Sequence, residues 1–199
     1  MALSYQEPDR CPCQFSFTPE FVARLKDNLE LSDEDLHNPH GGGNTYVIER
    51  TLDQDMLLTS VGWANSYYAT ETYSQEGETY TDEWGITWRN IPYETRFGKG
   101  HYTEMVGHPL TDDQAIDTYR PPDPDRPELY VEAKRVIEQF GDEYWIVGVT
   151  VTTIFETAWA LRGLEKLMMD FVMNPDLANR ILDIPFQYHL TAAKKLVEM

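Results

Sequence analysis

Eight consecutive residues, Asp82-Glu83-Trp84-Gly85-Ile86-Thr87-Trp88-Arg89, bring together two acids, two indoles and a guanidinium. Carboxylates can move a proton, indole faces can stack on a flat cofactor, and Arg89 can clamp a carboxylate through two parallel hydrogen bonds. Trp84 and Trp88 have the same parity, so on a strand they face one side. A bland reading fits the same residues: an amphipathic hairpin whose tryptophans pack it onto a core and whose Arg89 pairs with Glu83 at the surface. Two further side chains have acid–base capacity. His108 precedes Pro109, which holds its backbone extended; its ring can serve as a general acid or base, or anchor a loop by a hydrogen bond. Glu156 opens a helix and can act as acid, base or acceptor, or simply oppose the helix dipole.

Cys11 and Cys13 share one face of an extended segment. No second Cys or His pair at zinc spacing accompanies them, so they read as buried small hydrophobes rather than metal ligands. The run Gly41-Gly42-Gly43-Asn44 lacks the lysine and hydroxyl of a phosphate loop and reads as a connector. His37 and His40 flank Pro39 in a polar, solvated turn.

These groups have to be positioned by elements the pattern predicts. A strand over Cys11–Phe17 precedes a helix opened by Thr18 as cap and Pro19 at its first position, with Phe21, Leu25 and Leu29 along one face. Ser32 caps a short acidic turn. Tyr46 to Leu52 fits either a strand or a short helix. Met56 to Val61 is an almost continuous apolar run, as in strands buried on both faces of a parallel sheet. Two hairpins follow. Glu76-Gly77-Glu78 turns the first, between Tyr68–Tyr73 and the Trp84 stretch, and Gly98-Lys99-Gly100 turns the second, between Tyr93–Phe97 and His101–Met105. A proline-rich connector over 121–127 opens a helix with Leu129, Ala133, Val136, Ile137 and Phe140 on its apolar side and Gly141 at its end. Tyr144 to Val151 reads as a second strand buried on both faces, apart from Thr150. Helices over Phe155–Arg162 and Leu164–Met173 follow, and a last one is capped by Asn174-Pro175 and kinked or split at Pro185. Strands of this kind separated by helices predict an α/β chain with a parallel sheet.

The balance of 34 acids against 16 bases gives a net charge of -18. Such a surface repels phosphate backbones and anionic lipid, which argues against nucleic-acid and membrane-surface partners. A chain of 199 residues with 41% hydrophobic side chains suits one domain with a real core. No run reaches the ~20 apolar residues needed to span a bilayer, and the N-terminus has neither the basic start nor the apolar centre of a signal peptide. A cytoplasmic location is the expectation.

Taken in order, the opening Glu7-Pro8-Asp9-Arg10-Cys11-Pro12, the Asp82–Trp88 stretch, His108-Pro109-Leu110, the Phe155–Gly163 helix and the Asp170–Asp176 run with Asn174-Pro175 resemble the uroporphyrinogen decarboxylase superfamily. Within it they resemble the branch that contains corrinoid-dependent methyltransferases. The resemblance implies a TIM-type (β/α)8 barrel, which takes ~250 residues. Residues 1–199 would then be the N-terminal part of a single such domain, truncated at its C-terminal end, with a β-hairpin insertion at about 66–106 after the second barrel strand. Barrel chemistry lies at the C-terminal ends of strands, here Ser16 to Thr18, Thr59 to Gly62 and Thr150 to Glu156. Glu156 and His108 are thereby the catalytic candidates, and Ser16, Thr150, Trp84, Trp88 and Arg89 the substrate-binding ones.

The activity implied is corrinoid-linked methyl transfer to a thiol activated by zinc. Zinc and a corrinoid partner protein are implied for the full-length protein, beside a small-molecule substrate; a homo-oligomer is an option that open sheet edges leave. The family's His and Cys ligands lie on later strands, so no metal residue is assigned and no cofactor is bound by this chain alone. One alternative is uroporphyrinogen decarboxylation in porphyrin and heme biosynthesis. The chain departs from it in three places: no glycine-containing arginine motif follows the first strand, Gly62 or Val61 stands where an aspartate holds the pyrrole nitrogens, and Trp159 stands where a tyrosine is expected. A further alternative is a non-catalytic binding or assembly fragment, because an open barrel leaves sheet edges that pair with other chains.

Overall fold

The computed structural model describes residues 4–17, 19–36, 45–61, 79–96, 98–150 and 153–199. They form a mixed α/β fold with two small sheets and no closed barrel among the described residues. The first sheet pairs β1 (Met56–Ser60) with β5 (Trp145–Val149) in parallel, from Met56 opposite Trp145 to Ser60 opposite Val149. The second is antiparallel, in the order β2 (Thr79–Thr81), β3 (Thr87–Thr95), β4 (Gly98–Gly107).

A helical crossover covers the parallel pair. Pro127 starts a 3-10 turn over Pro127–Tyr130 that runs into α5 (Val131–Phe140), following the short helices α1 (Pro19–Asn28), α2 (Asp33–Leu36), α3 (Val47–Thr51) and α4 (Ala115–Thr118). Ala133, Val136 and Phe140 recur at helical spacing and are buried, as the pattern predicts. Val136 and Phe140 meet Leu57 and Tyr46, with Tyr144 and Ile146 alongside. The Tyr46 hydroxyl donates to the Leu58 carbonyl at 2.6 Å, and burial pushes its pKa up to about 12. Gly141 ends α5; a Cβ there would lie 2.5 Å from the Ile137 carbonyl oxygen.

The second body is larger. Helices α6 (Ile154–Arg162), α7 (Leu164–Met173) and α8 (Pro175–Val197) pack the antiparallel sheet through one core that includes Trp84, Ile86, Trp88, Leu161, Ile181 and Tyr188. Gly163 adopts φ +88° between α6 and α7, a left-handed turn that glycine tolerates without strain. Asn174 caps α8 by accepting from the Leu177 amide at 3.4 Å. Among the described residues no helix is long and apolar enough to cross a membrane.

Several expectations are corrected. Cys11–Phe17 forms no strand. Its backbone is held by the two residues before β1: the Cys13 amide donates to Asp55 Oδ2 at 2.7 Å, the Asp55 amide to the Cys13 carbonyl at 3.1 Å, and the Phe15 amide to Gln54 Oε1 at 2.6 Å. Side chains supply the acceptors that a strand partner would have offered. The segment runs antiparallel to residues 54–55, so Ser16 lies towards the N-terminal end of β1, opposite the end where Thr150 sits. Cys11 is exposed and Cys13 half-buried, so neither is a core hydrophobe.

The ambiguous Tyr46–Leu52 stretch resolves as a helix. The Asp82–Ile86 run is itself the turn between β2 and β3, so Trp84 is not on a strand with Trp88. In the second hairpin Thr95 pairs with Gly98, which puts Gly98-Lys99-Gly100 into β4 rather than at the bend. β5 is not buried on both faces: Trp145 is 57% exposed, because two strands and one crossover cover only part of it. α8 runs through Pro185 unsplit, with that ring fully buried in the core. The Thr18 cap, His37, His40, the Gly41–Asn44 connector, Gly62, the Tyr68–Tyr73 strand and the Glu76-Gly77-Glu78 turn lie outside the described residues.

Candidate functional site

Parallel pairing sets Ser60 beside Val149, so the C-terminal ends of β1 and β5 lie side by side. Val61 continues β1 and is buried against Leu129, Tyr130 and Ala192. Thr150 continues β5 and is half-buried. Four residues later α6 begins, and two neighbouring polar residues in its first turn separate. Glu156 is exposed, whereas Thr157 is 4% exposed and its hydroxyl lies 3.3 Å from His189 Nε2 on α8.

The Trp84 turn packs onto this same region. The Trp84 ring meets Tyr188 edge-on at 4.8 Å between centroids and stacks on His189 at 6.3 Å with 15° between planes. Asp82 builds the turn. One carboxylate oxygen accepts from the Trp84 and Ile86 amides, each at 2.9 Å, and the other accepts from the Trp88 indole at 2.8 Å. Burial pushes the Asp82 carboxyl above its ordinary range, against the pull of those three hydrogen bonds. The Tyr119 hydroxyl donates to the Trp84 carbonyl at 2.9 Å, and burial raises the pKa of Tyr119 and of Tyr188. Glu83 pairs with Arg126. Gly85 takes φ +77° where the turn reverses.

A second buried knot lies at the other end of α6. Arg162 is 1% exposed. Its guanidinium donates to Asp170 at 2.7 Å, to Asp113 at 2.6 Å and to the Leu110 carbonyl at 2.7 Å. Those bonds fasten the segment after β4 to α6 and α7. His108 belongs to the same fastening: its Nδ1 lies 2.7 Å from the Ala160 carbonyl, and its ring lies against Gly163. A bond from Nδ1 to that carbonyl requires the proton on Nδ1.

The sequence-predicted residues are therefore not brought together at one point. Trp84 and Trp88 are 2% and 4% exposed, so their faces are spent on core packing and neither can stack on a cofactor. Arg89 is exposed on β3 opposite Glu104, and Glu83, its expected partner, pairs with Arg126 instead. Ser16 is exposed, accepts from Gln14 Nε2 at 3.2 Å, and lies at the far end of β1. Thr150 and Glu156 do share the region at the strand ends. His189, Tyr188 and Arg162 carry the buried polar chemistry and were not singled out by sequence reasoning. A signal existed for two of them: Leu177, Ile181, Pro185, Tyr188 and Ala192 recur every three or four residues, and His189 sits beside that stripe.

The two thiols lie 3.8 Å and 4.0 Å from backbone carbonyls of Pro12 and Asp53. Among the described residues no group of three or more His, Cys, Asp or Glu is placed to hold a metal ion. No family model, curated protein or solved structure matches the chain.

Proposed function

We propose that this chain is the N-terminal part of a uroporphyrinogen-decarboxylase-type barrel domain, and that the whole domain transfers a methyl group from a corrinoid to a small thiol. The observation that carries the reading is the parallel pairing of β1 with β5, whose C-terminal ends lie side by side. Parallel strands need a crossover, and ligands bind at the carboxyl ends of such strands. The role left to this chain is binding and shielding. Thr150 offers a hydroxyl at the rim, Glu156 an exposed carboxylate at a helix N-terminus, and the Trp84 turn a rigid wall. A zinc ion held by residues outside those described would keep the thiol deprotonated and nucleophilic. The decarboxylase alternative needs free cations for a polyanionic substrate, yet Arg126 and Arg162 are committed to Glu83, Asp113 and Asp170.

The test is transfer itself. The chain, together with whatever coding sequence follows it, is purified, loaded with zinc, and incubated with methylcobalamin and a small thiol. Methylated thiol, in an amount that falls when zinc is chelated, is the expected product. Decarboxylation of uroporphyrinogen by the metal-free protein, or no thiol methylation at full zinc loading, overturns the reading.

A further inference from the structure

α7 buries little of itself. Leu167 and Asp170 are its buried residues, and Asp170 is taken by Arg162. The outward side is apolar instead: Met168 and Met169 are 51% and 57% exposed, Val172 80% and Met173 78%. Leu164 and Phe171 flank this stripe, and Phe155 from α6 stacks on Phe171 at 6.5 Å, which widens it. A continuous exposed apolar face of this kind marks an interaction site, unlike apolar residues scattered singly. Methionines suit such a site because their unbranched side chains adapt to a partner's shape.

The charge around the face indicates what covers it. Glu156 adjoins Phe155, Glu165 lies one turn before Met168 and Met169, and Asp176 follows α7 at the start of α8. All three are exposed, and none forms an ion pair with another described residue. The nearby cations are already committed: Lys166 and Arg162 to Asp113, Arg180 to Asp117. The apolar stripe is therefore rimmed by uncompensated negative charge, on a chain whose net charge is -18. A second copy would set like charges against each other.

We propose that the outward face of α7, with Phe155, docks a basic amphipathic helix of a partner protein. The partner's apolar stripe lies on Met168, Met169 and Val172, and its Lys or Arg side chains reach Glu156, Glu165 and Asp176. Helix-in-groove recognition works in this way, with apolar anchors giving affinity and rim charges giving orientation and speed. This inference does not rest on the methyl-transfer proposal; Glu156 is the residue the two surfaces share.

Three synthetic helices of about 18 residues test it: a Leu/Lys amphipathic peptide, its Leu/Glu counterpart, and a scrambled Leu/Lys peptide that keeps the composition but loses the apolar stripe. Each is titrated against the intact 199-residue chain by calorimetry. The amphipathic basic peptide should bind at least about tenfold more tightly than either control, and Met168→Lys with Val172→Lys should abolish that margin. Both positions are exposed, so the double variant should keep its circular dichroism and melting temperature. Equal binding of the scrambled peptide, undiminished binding to the double variant, or no binding of the amphipathic peptide overturns the proposal. So does a wild-type dimer in sedimentation equilibrium that the double variant dissociates, because the occupant is then a second copy.

Discussion

Trp84, in the turn of the antiparallel sheet, is 2% exposed, while Trp145, at the head of β5 in the parallel pair, is 57% exposed. Both are tryptophans beside short strands, yet one is locked from every side and the other is half in water. Around Trp84 the locks are of different kinds: Asp82 bonds the turn internally, Tyr119 holds its carbonyl, and Tyr188 and His189 cover its ring. Around Trp145 the parallel ladder and the partial cover of α5 provide the order. Redundant cross-links make the hairpin body a platform. The strand pair is the region with surface left to give, and open surface at strand ends is where ligands bind.

The largest effects should come from the locked body. Replacing Arg162 by Met leaves Asp170 buried without its partner and should cost about 3–5 kcal/mol in urea unfolding. Trp84→Ala should cost a similar ~3–5 kcal/mol by opening a cavity between the hairpin and α8. A loss under about 1 kcal/mol for either change would erase the contrast between the two regions.

Asp82→Asn should be milder, at about 1–3 kcal/mol, because an amide must set one N–H against another donor in that turn. Its pH dependence has a defined sign. Burial raises the folded-state pKa of Asp82 above the ordinary 3.8, so the folded protein holds this proton to higher pH than the unfolded chain does. The stabilisation linked to that proton is fully present below the unfolded pKa and is lost as pH rises through the folded one. Wild-type stability relative to Asp82→Asn should therefore fall as pH climbs across that window. The opposite slope would mean that the three hydrogen bonds outweigh burial.

Hydrogen exchange gives the most direct comparison. Amides of β3 that bond to β4 should exchange only on global unfolding, while those of β5 should exchange through cheaper local opening. Equal protection in the two strands would show the halves to be one cooperative unit. The smallest effect belongs to Trp145→Thr, which should stay within about 0.5 kcal/mol of wild type by thermal melting.

Much of the local structure was legible from residue patterns. α5, α7 and the Asn174 cap follow from 3.6-residue periodicity and capping chemistry, both of which act within a few residues. The parallel character of β1 and β5 was legible too, from their apolar runs. The Cys11–Phe17 segment has the alternation of a strand, yet what it meets are the Asp55 and Gln54 side chains rather than a neighbouring ladder. The turn at Asp82–Ile86 was hidden because a strand pattern and a carboxylate-bonded turn place tryptophan at the same positions. Gly98-Lys99-Gly100 has the composition of a bend, yet the strand register places all three residues in β4.

The candidate site was less legible than the fold. Glu156 and Thr150 could be placed at strand ends from chain order alone. That Thr157, rather than Glu156, is turned inward onto His189 depends on how α6 rotates against α8, a contact across 32 residues. The commitment of Glu83 to Arg126 instead of Arg89 spans 43 residues and is equally invisible to local spacing.

By itself the sequence determined the longer helices, the Ser32 and Asn174 caps, the strongly acidic surface and the presence of two apolar strands, because each arises from neighbours a few positions apart or from composition. Only the tertiary structure decided that Trp84 and Trp88 are core rather than ligand surface, that Ser16 and Thr150 lie at opposite ends of β1 and β5, and that α7 keeps its methionines in water. Those outcomes depend on which faces meet once the chain has closed, and burial is a property of that meeting rather than of any residue alone.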